Sequence, residues 1–191
     1  MKRAFLTVGL VMLCVVLLAG CGTETETQTR EPTENKPAVI PQTMPEDFRI
    51  RFSFWIDENR KNVMDTDTGE IQKDLVLDGT ASGTFTPGQE LLERIYDKLT
   101  ACRLTGITEP VTSGNLTASD TMMAVVPNTF YEAEFQIGGE TYRVTGDASA
   151  WAYRDSSTLA ADFCDFMDFM GKTYRSLEAY QALPAASGGY D

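Results

Sequence analysis

Alternation is clearest between Phe48 and Ile56. Phe48, Ile50, Phe52, Phe54 and Ile56 share one side, and Arg49, Arg51, Ser53 and Trp55 the other. An apolar face repeating every second residue predicts a half-buried strand. Residues 57–69 are polar and turn-rich, and Glu70–Gly79 then alternates again, with Ile71, Leu75 and Leu77 inward and Asp74 and Asp78 outward. The two runs predict an antiparallel hairpin with a long loop. Thr86-Pro87-Gly88-Gln89 predicts a helix start, with Thr86 as cap, Pro87 at the first helical position and Gln89 closing a capping box. Leu91, Leu92, Ile95, Tyr96, Leu99 and Cys102 then recur at helical spacing.

Residues 104–120 read as a Thr-, Ser- and Gly-rich loop, and Met122–Val126 as a short strand ended by Pro127. Phe130–Ile137, Gly138-Gly139 and Glu140–Thr145 predict a hairpin with a two-glycine turn. Tyr131, Ala133, Phe135 and Ile137 would share its buried face with Tyr142 and Val144. A last helix is expected over Ser157–Leu183, burying Leu159, Phe163, Phe166, Met167, Met170, Tyr174 and Leu177. Gly171 weakens it by about 1 kcal/mol relative to Ala. The order ββαββα predicts an α+β fold in two layers, an antiparallel sheet of about 4–5 strands with two helices on one face. Residues 47–185 would form this single domain and 186–191 a tail.

The other apolar stretch lies at the N-terminus. Lys2 and Arg3 precede the run Ala4–Leu18, which is shorter than the roughly 20 residues of a membrane-spanning helix. It ends in Leu18-Ala19-Gly20-Cys21, which resembles the lipobox of bacterial lipoprotein precursors. That resemblance implies a signal peptide over residues 1–20 and acylation of Cys21 through a thioether. With about 0.8 kcal/mol per buried methylene, two or three chains on one sulfur anchor a protein that spans nothing. Residues 21–46 are rich in Thr, Glu and Pro and predict a disordered linker reaching roughly 25–30 Å.

Charge and cysteine content narrow the setting. Removing residues 1–20 leaves 14 basic residues against 28 acidic ones, a net charge of −14. Such a domain is repelled by nucleic acid and by anionic lipid. Cys102 and Cys164 would be the mature chain's two unmodified cysteines, either paired outside the membrane or buried as small hydrophobes.

The chain contains no His, so Ser-His-Asp, Cys-His and His-ligated zinc arrangements are unavailable, and no cofactor is expected. Asp65 and Asp67 occupy the first and third places of a calcium loop. Its fifth, sixth and twelfth places, Gly69, Glu70 and Val76, break the pattern. Asp67-Thr68-Gly69 reads more simply as a turn in which Gly supplies a positive φ. Asp162, Asp165 and Asp168 recur at three-residue spacing and read as a solvated helix flank. Trp55 beside Arg51 and Ser53, with Trp151 in another loop, forms a candidate platform for sugar or peptide. The alternative is that Arg49 and Arg51 pair with Glu132 and Glu134 across strands while Trp55 fills the sheet edge.

The run Asp65–Thr80, the segment Glu90-Leu-Leu-Glu-Arg-Ile-Tyr96 and the Leu183-Pro184…Gly188-Gly189-Tyr190 ending resemble small uncharacterised lipoproteins of Gram-positive bacteria. The resemblance implies the lipid anchor and one domain, and brings no activity or site residues with it. The expected function is that of a non-catalytic binding or accessory module at the extracytoplasmic face of the cell membrane. It would be held by lipid on Cys21 and would meet a protein or glycan partner. The alternatives are a carboxylate-dependent hydrolase of cell-wall polymer, and an inhibitor or chaperone of a membrane partner.

Overall fold

A computed structural model describes residues 40–116 and 125–190. The signal segment, Cys21, most of the expected linker and residues 122–124 of the short strand candidate lie outside the described residues. The fold belongs to the compact unit Asn35–Asp191.

Six strands, β1 (Arg49–Trp55), β2 (Asn62–Asp65), β3 (Glu70–Asp74), β4 (Thr80–Thr84), β5 (Phe130–Ile137) and β6 (Glu140–Asp147), form one antiparallel sheet in the order β4-β3-β2-β1-β5-β6. The helices are α1 (Gln89–Ala101), the single turns α2 (Ser113–Leu116) and α4 (Glu178–Gln181), and the long α3 (Thr158–Ser176), with a 3-10 segment at Ala148–Tyr153. The α+β class and the antiparallel sheet are as expected. The count of 4–5 strands and two helices is too low.

One rung shows how the alternating pattern builds the core. Val144, Ala133, Phe52, Met64 and Ile71 face one another from β6 to β3, ending on Gly83 of β4. The five side chains are at most 1 % exposed. Phe48 meets Tyr96 of α1 edge-on at 5.0 Å, and Phe135 meets Phe166 of α3 at 5.8 Å. Both long helices therefore cover the same face. The opposite face carries Arg143, Glu134, Arg51 and Asp65 in register.

β1 pairs with β2, inside the stretch expected to be loop, and β3 pairs with β2 and β4 rather than with β1. β2 has four residues, and Val63 and Met64 are both buried on opposite faces, so no alternation shows. β4 reads Thr-Ala-Ser-Gly-Thr, an edge strand held by backbone bonds and marked by no apolar pattern. β3 stops at Asp74, correcting the longer strand. Asp74 accepts from the Val76 N–H at 2.7 Å, and the Leu75 N–H donates to Gly79 at 2.8 Å. This turn buries Asp74 and leaves Leu77 74 % exposed, reversing their expected sides.

α1 begins at Gln89 with Gly88 as cap and no side-chain cap bond, so the Thr86 capping box does not form. α3 starts as expected, with the Ser157 hydroxyl accepting from the Ala160 N–H at 3.3 Å, but it ends at Ser176 because Leu177 turns extended. Leu159 is 37 % exposed, outside the buried stripe. The two-glycine hairpin holds: Gly138 and Gly139 have φ of 60° and 82°, and Asp47 accepts from their N–H groups at 3.0 and 2.6 Å. Those two bonds hold the Asp47 carboxyl below its ordinary range. Val125 and Val126 form no strand.

Both ends of the described chain are docked. Tyr96 donates to the Pro41 carbonyl at 2.6 Å, and Ile40 and Met44 rest against the core, so the last part of the expected linker belongs to the domain. Ser187 donates to the Leu75 carbonyl at 3.1 Å, so the expected tail lies beside the β3–β4 turn. Cys102 and Cys164 are free and buried, and burial pushes the Cys164 thiol up to about 12.

Candidate functional site

A cleft of about 220 Å³ opens at the end of β1, between the sheet and the middle of α3. Its position follows from the register. Phe54 stands opposite Tyr131, and their rings stack at 6.3 Å as a floor. Tyr174 of α3 meets Phe54 edge-on at 5.5 Å and sets the height of the helix above it. Gly171 is buried on α3, and its missing side chain leaves room for a neighbour. The Arg175 guanidinium lies back over it, with Nη1 3.4 Å from where a Cβ would be. The same guanidinium sits 5.9 Å from the centre of the Phe54 ring.

The charged groups around the cleft differ in how they are engaged. Asp74 accepts from the Val76 N–H and from the Tyr190 hydroxyl. Burial, with Asp74 beside it, pushes the Tyr190 phenol up to about 12. Asp168 lies 3.6 Å from Arg154. Lys172 and Arg175 are exposed on α3 and make no ion pair among the described residues. Burial raises the Tyr131 phenol above its ordinary value, and the nearby Asp168 charge adds to this. Both carboxylates of the cleft thus have partners while both ammonium and guanidinium groups are open.

Sequence reasoning singled out residues that the structure places elsewhere. Arg51 donates to Asp65 at 2.7 Å and lies 3.3 Å from Glu70, while Arg49 lies 3.5 Å from Asp67. The expected pairing of these arginines with Glu132 and Glu134 does not form, and Glu132 pairs with Arg143 at 3.0 Å. Trp55 stacks on Phe130 at 6.0 Å under the Lys61 ammonium, and reaches the rim of the cleft. Trp151 packs against Tyr131 and Phe163 on the helix side of the sheet. Trp55, Arg51 and Trp151 therefore make no common platform.

Asp65 is 7 % exposed and fully engaged: Oδ1 accepts from the Asp67 and Thr68 N–H groups at 2.9 and 3.2 Å, and Oδ2 from Arg51. Gly69 has φ 71°, as the turn reading requires. Among the described residues no group of three or more His, Cys, Asp or Glu is placed to hold a metal ion. Burial works to raise the Asp65 carboxyl, but Arg51 and the two N–H groups outweigh it and hold it below the ordinary value. A depressed folded-state pKa contributes stability that is complete above the unfolded value, about 3.9. The contribution is lost as pH falls through the folded value. Asp65→Asn should therefore be less stable than wild type at pH 6, with the gap narrowing below about pH 4. Urea midpoints measured from pH 2 to 6 check this, and a gap independent of pH would refute the charge-based account.

No protein-family model matches the chain, and no curated protein or solved structure matches it. The fold and cleft define its class by themselves: one α+β domain whose six-stranded sheet is helix-covered on one face and carries a small cleft at its end. Among the described residues no helix is long and apolar enough to cross a membrane.

Proposed function

We propose that this protein is a lipid-anchored module at the extracytoplasmic face of the cell membrane, and that its domain is a non-catalytic binding or accessory unit. The cleft beneath α3 is its ligand site. One observation carries the binding reading: a cleft of about 220 Å³ opens beside the aromatic residues Phe54 and Tyr131, with Lys172 and Arg175 of α3 along it. A glycine inside a helix costs about 1 kcal/mol relative to Ala, and here its missing side chain makes room for the Arg175 guanidinium at the cleft wall. Leu18-Ala19-Gly20-Cys21 after a short apolar run supports the anchor.

Met167 lines the cleft, while Met64 lies in the closed core. Full-length protein in detergent micelles, labelled at its methionine methyl groups, can be screened by NMR against a library of small ring compounds. Several compounds should shift the Met167 methyl and leave Met64 in place. A library that moves neither signal would remove the binding reading. For the anchor, Cys21→Ala should move the protein from the detergent phase to the aqueous phase, and unchanged partitioning would refute acylation at that sulfur.

A further inference from the structure

The ligand class can be narrowed, resting on the reading of this cleft as a binding site. We infer that the cleft takes a small organic anion, its apolar part beside Phe54 and Tyr131 and its carboxylate or phosphate between Lys172 and Arg175.

Three observations carry this. The first is size. About 220 Å³ is below the roughly 300–1,000 Å³ of sites for drug-sized ligands, so the cleft fits about one ring and a head group. The second is charge. The domain is strongly acidic, yet Lys172 and Arg175 lie three residues apart on one face of α3, both open to solvent and without carboxylate partners among the described residues. The two acids beside them, Asp74 and Asp168, are held by Tyr190 and Arg154. Among the described residues, the charged groups of the cleft with neither an ion-pair nor a side-chain hydrogen-bond partner are therefore Lys172 and Arg175. The third is preorganisation. Arg175 is laid over the Phe54 ring and over the gap at Gly171, so its planar fork is positioned before any anion arrives. A guanidinium with free N–H groups matches carboxylate or phosphate oxygens in a two-point contact that an ammonium alone cannot make. Phe54 and Tyr131 give the apolar part of the ligand an aromatic wall.

The test uses full-length, methionine-methyl-labelled protein in micelles, with five probes: benzoate, phenyl phosphate, benzamide, benzyl alcohol and inorganic phosphate. Shifts of the Met167 methyl, or quenching of Trp55 at the rim, report binding. Benzoate or phenyl phosphate should bind at least about tenfold more tightly than benzamide and benzyl alcohol, a ratio worth about 1.4 kcal/mol. That preference should weaken as salt is raised, because the pair is exposed. Lys172→Gln with Arg175→Gln should bring the ratio to near one, and an unchanged ratio would overturn the assignment of the anion to these two residues. Neutral rings binding as tightly as the anions would overturn the anion inference and leave the cleft reading standing. Inorganic phosphate binding as tightly as phenyl phosphate would overturn the role of the aromatic floor. No response to any probe would overturn both the inference and the reading beneath it.

Discussion

Replacing Tyr174 by alanine should lower the stability of the domain by about 3–5 kcal/mol, the range seen when a buried aromatic ring is removed. Small domains are stable by about 5–15 kcal/mol, so the loss is a large share of the whole. The size follows from what the ring joins. Tyr174 is 1 % exposed, meets Phe54 edge-on and touches Tyr180 at 4.7 Å. Its hydroxyl donates to the Gln72 carbonyl at 2.5 Å, beside the Asn62 side-chain oxygen at 3.3 Å. One side chain thus links the end of α3 to β2 and β3. Tyr174→Phe keeps the ring and removes that link, and should cost only about 0.5–1.5 kcal/mol. Urea unfolding followed by circular dichroism measures both. If the alanine variant lost no more than the phenylalanine variant, the ring would not be the anchor described, and the height of α3 over the cleft would need another cause.

Gly146→Ala should be nearly as damaging, with a loss of about 3 kcal/mol, the upper part of the range for overfilled cores. In a domain of this size that lowers Tm by roughly 6–12 °C. The φ at this position is ordinary, so the reason is space alone. A Cβ there would stand 2.5 Å from Phe163 Cζ and 2.5 Å from the Val111 carbonyl oxygen. Val111 lies alongside β6 at this point, accepting from the Asp147 N–H at 3.2 Å and donating to Thr145 at 2.8 Å. Phe163 also packs edge-on against Tyr131 and Trp151, so its ring cannot retreat freely. Adding Phe163→Leu to Gly146→Ala should recover part of the loss, since contacting residues are energetically coupled. A Gly146→Ala protein melting within about 2 °C of wild type would mean that β6 and α3 do not meet there.

The elements that were legible in the sequence are those whose period matches their burial. Phe48 to Phe52, the hairpin from Ala133 to Val144 and the Phe163-to-Tyr174 stripe each place their apolar residues on one covered face. The cleft was not legible. Its parts come from positions 54, 131, 171, 172, 175 and 190, and only the register of β1 with β5 and the height of α3 bring them together. Gly171 stood out in the sequence only as a weak point in a helix, because nothing local shows that the Arg175 guanidinium takes the place of the absent side chain. Arg51 was recognised as important, but its partners were sought on β5. They lie on β2 and β3, which the sequence pattern did not place beside β1 in that order.

By itself the sequence determined the α+β class, the covered face of the central strands, the two long helices and the turn glycines. Each of these follows from local periodicity or from a backbone angle that one residue type adopts easily. Tertiary structure alone decided β2 and β4, the burial of Asp65 and Asp74, the docking of Pro41 and Tyr190, and the open pair Lys172 and Arg175. Those depend on partners far along the chain, and a distant hydrogen bond or ring contact leaves no period in the residues that make it.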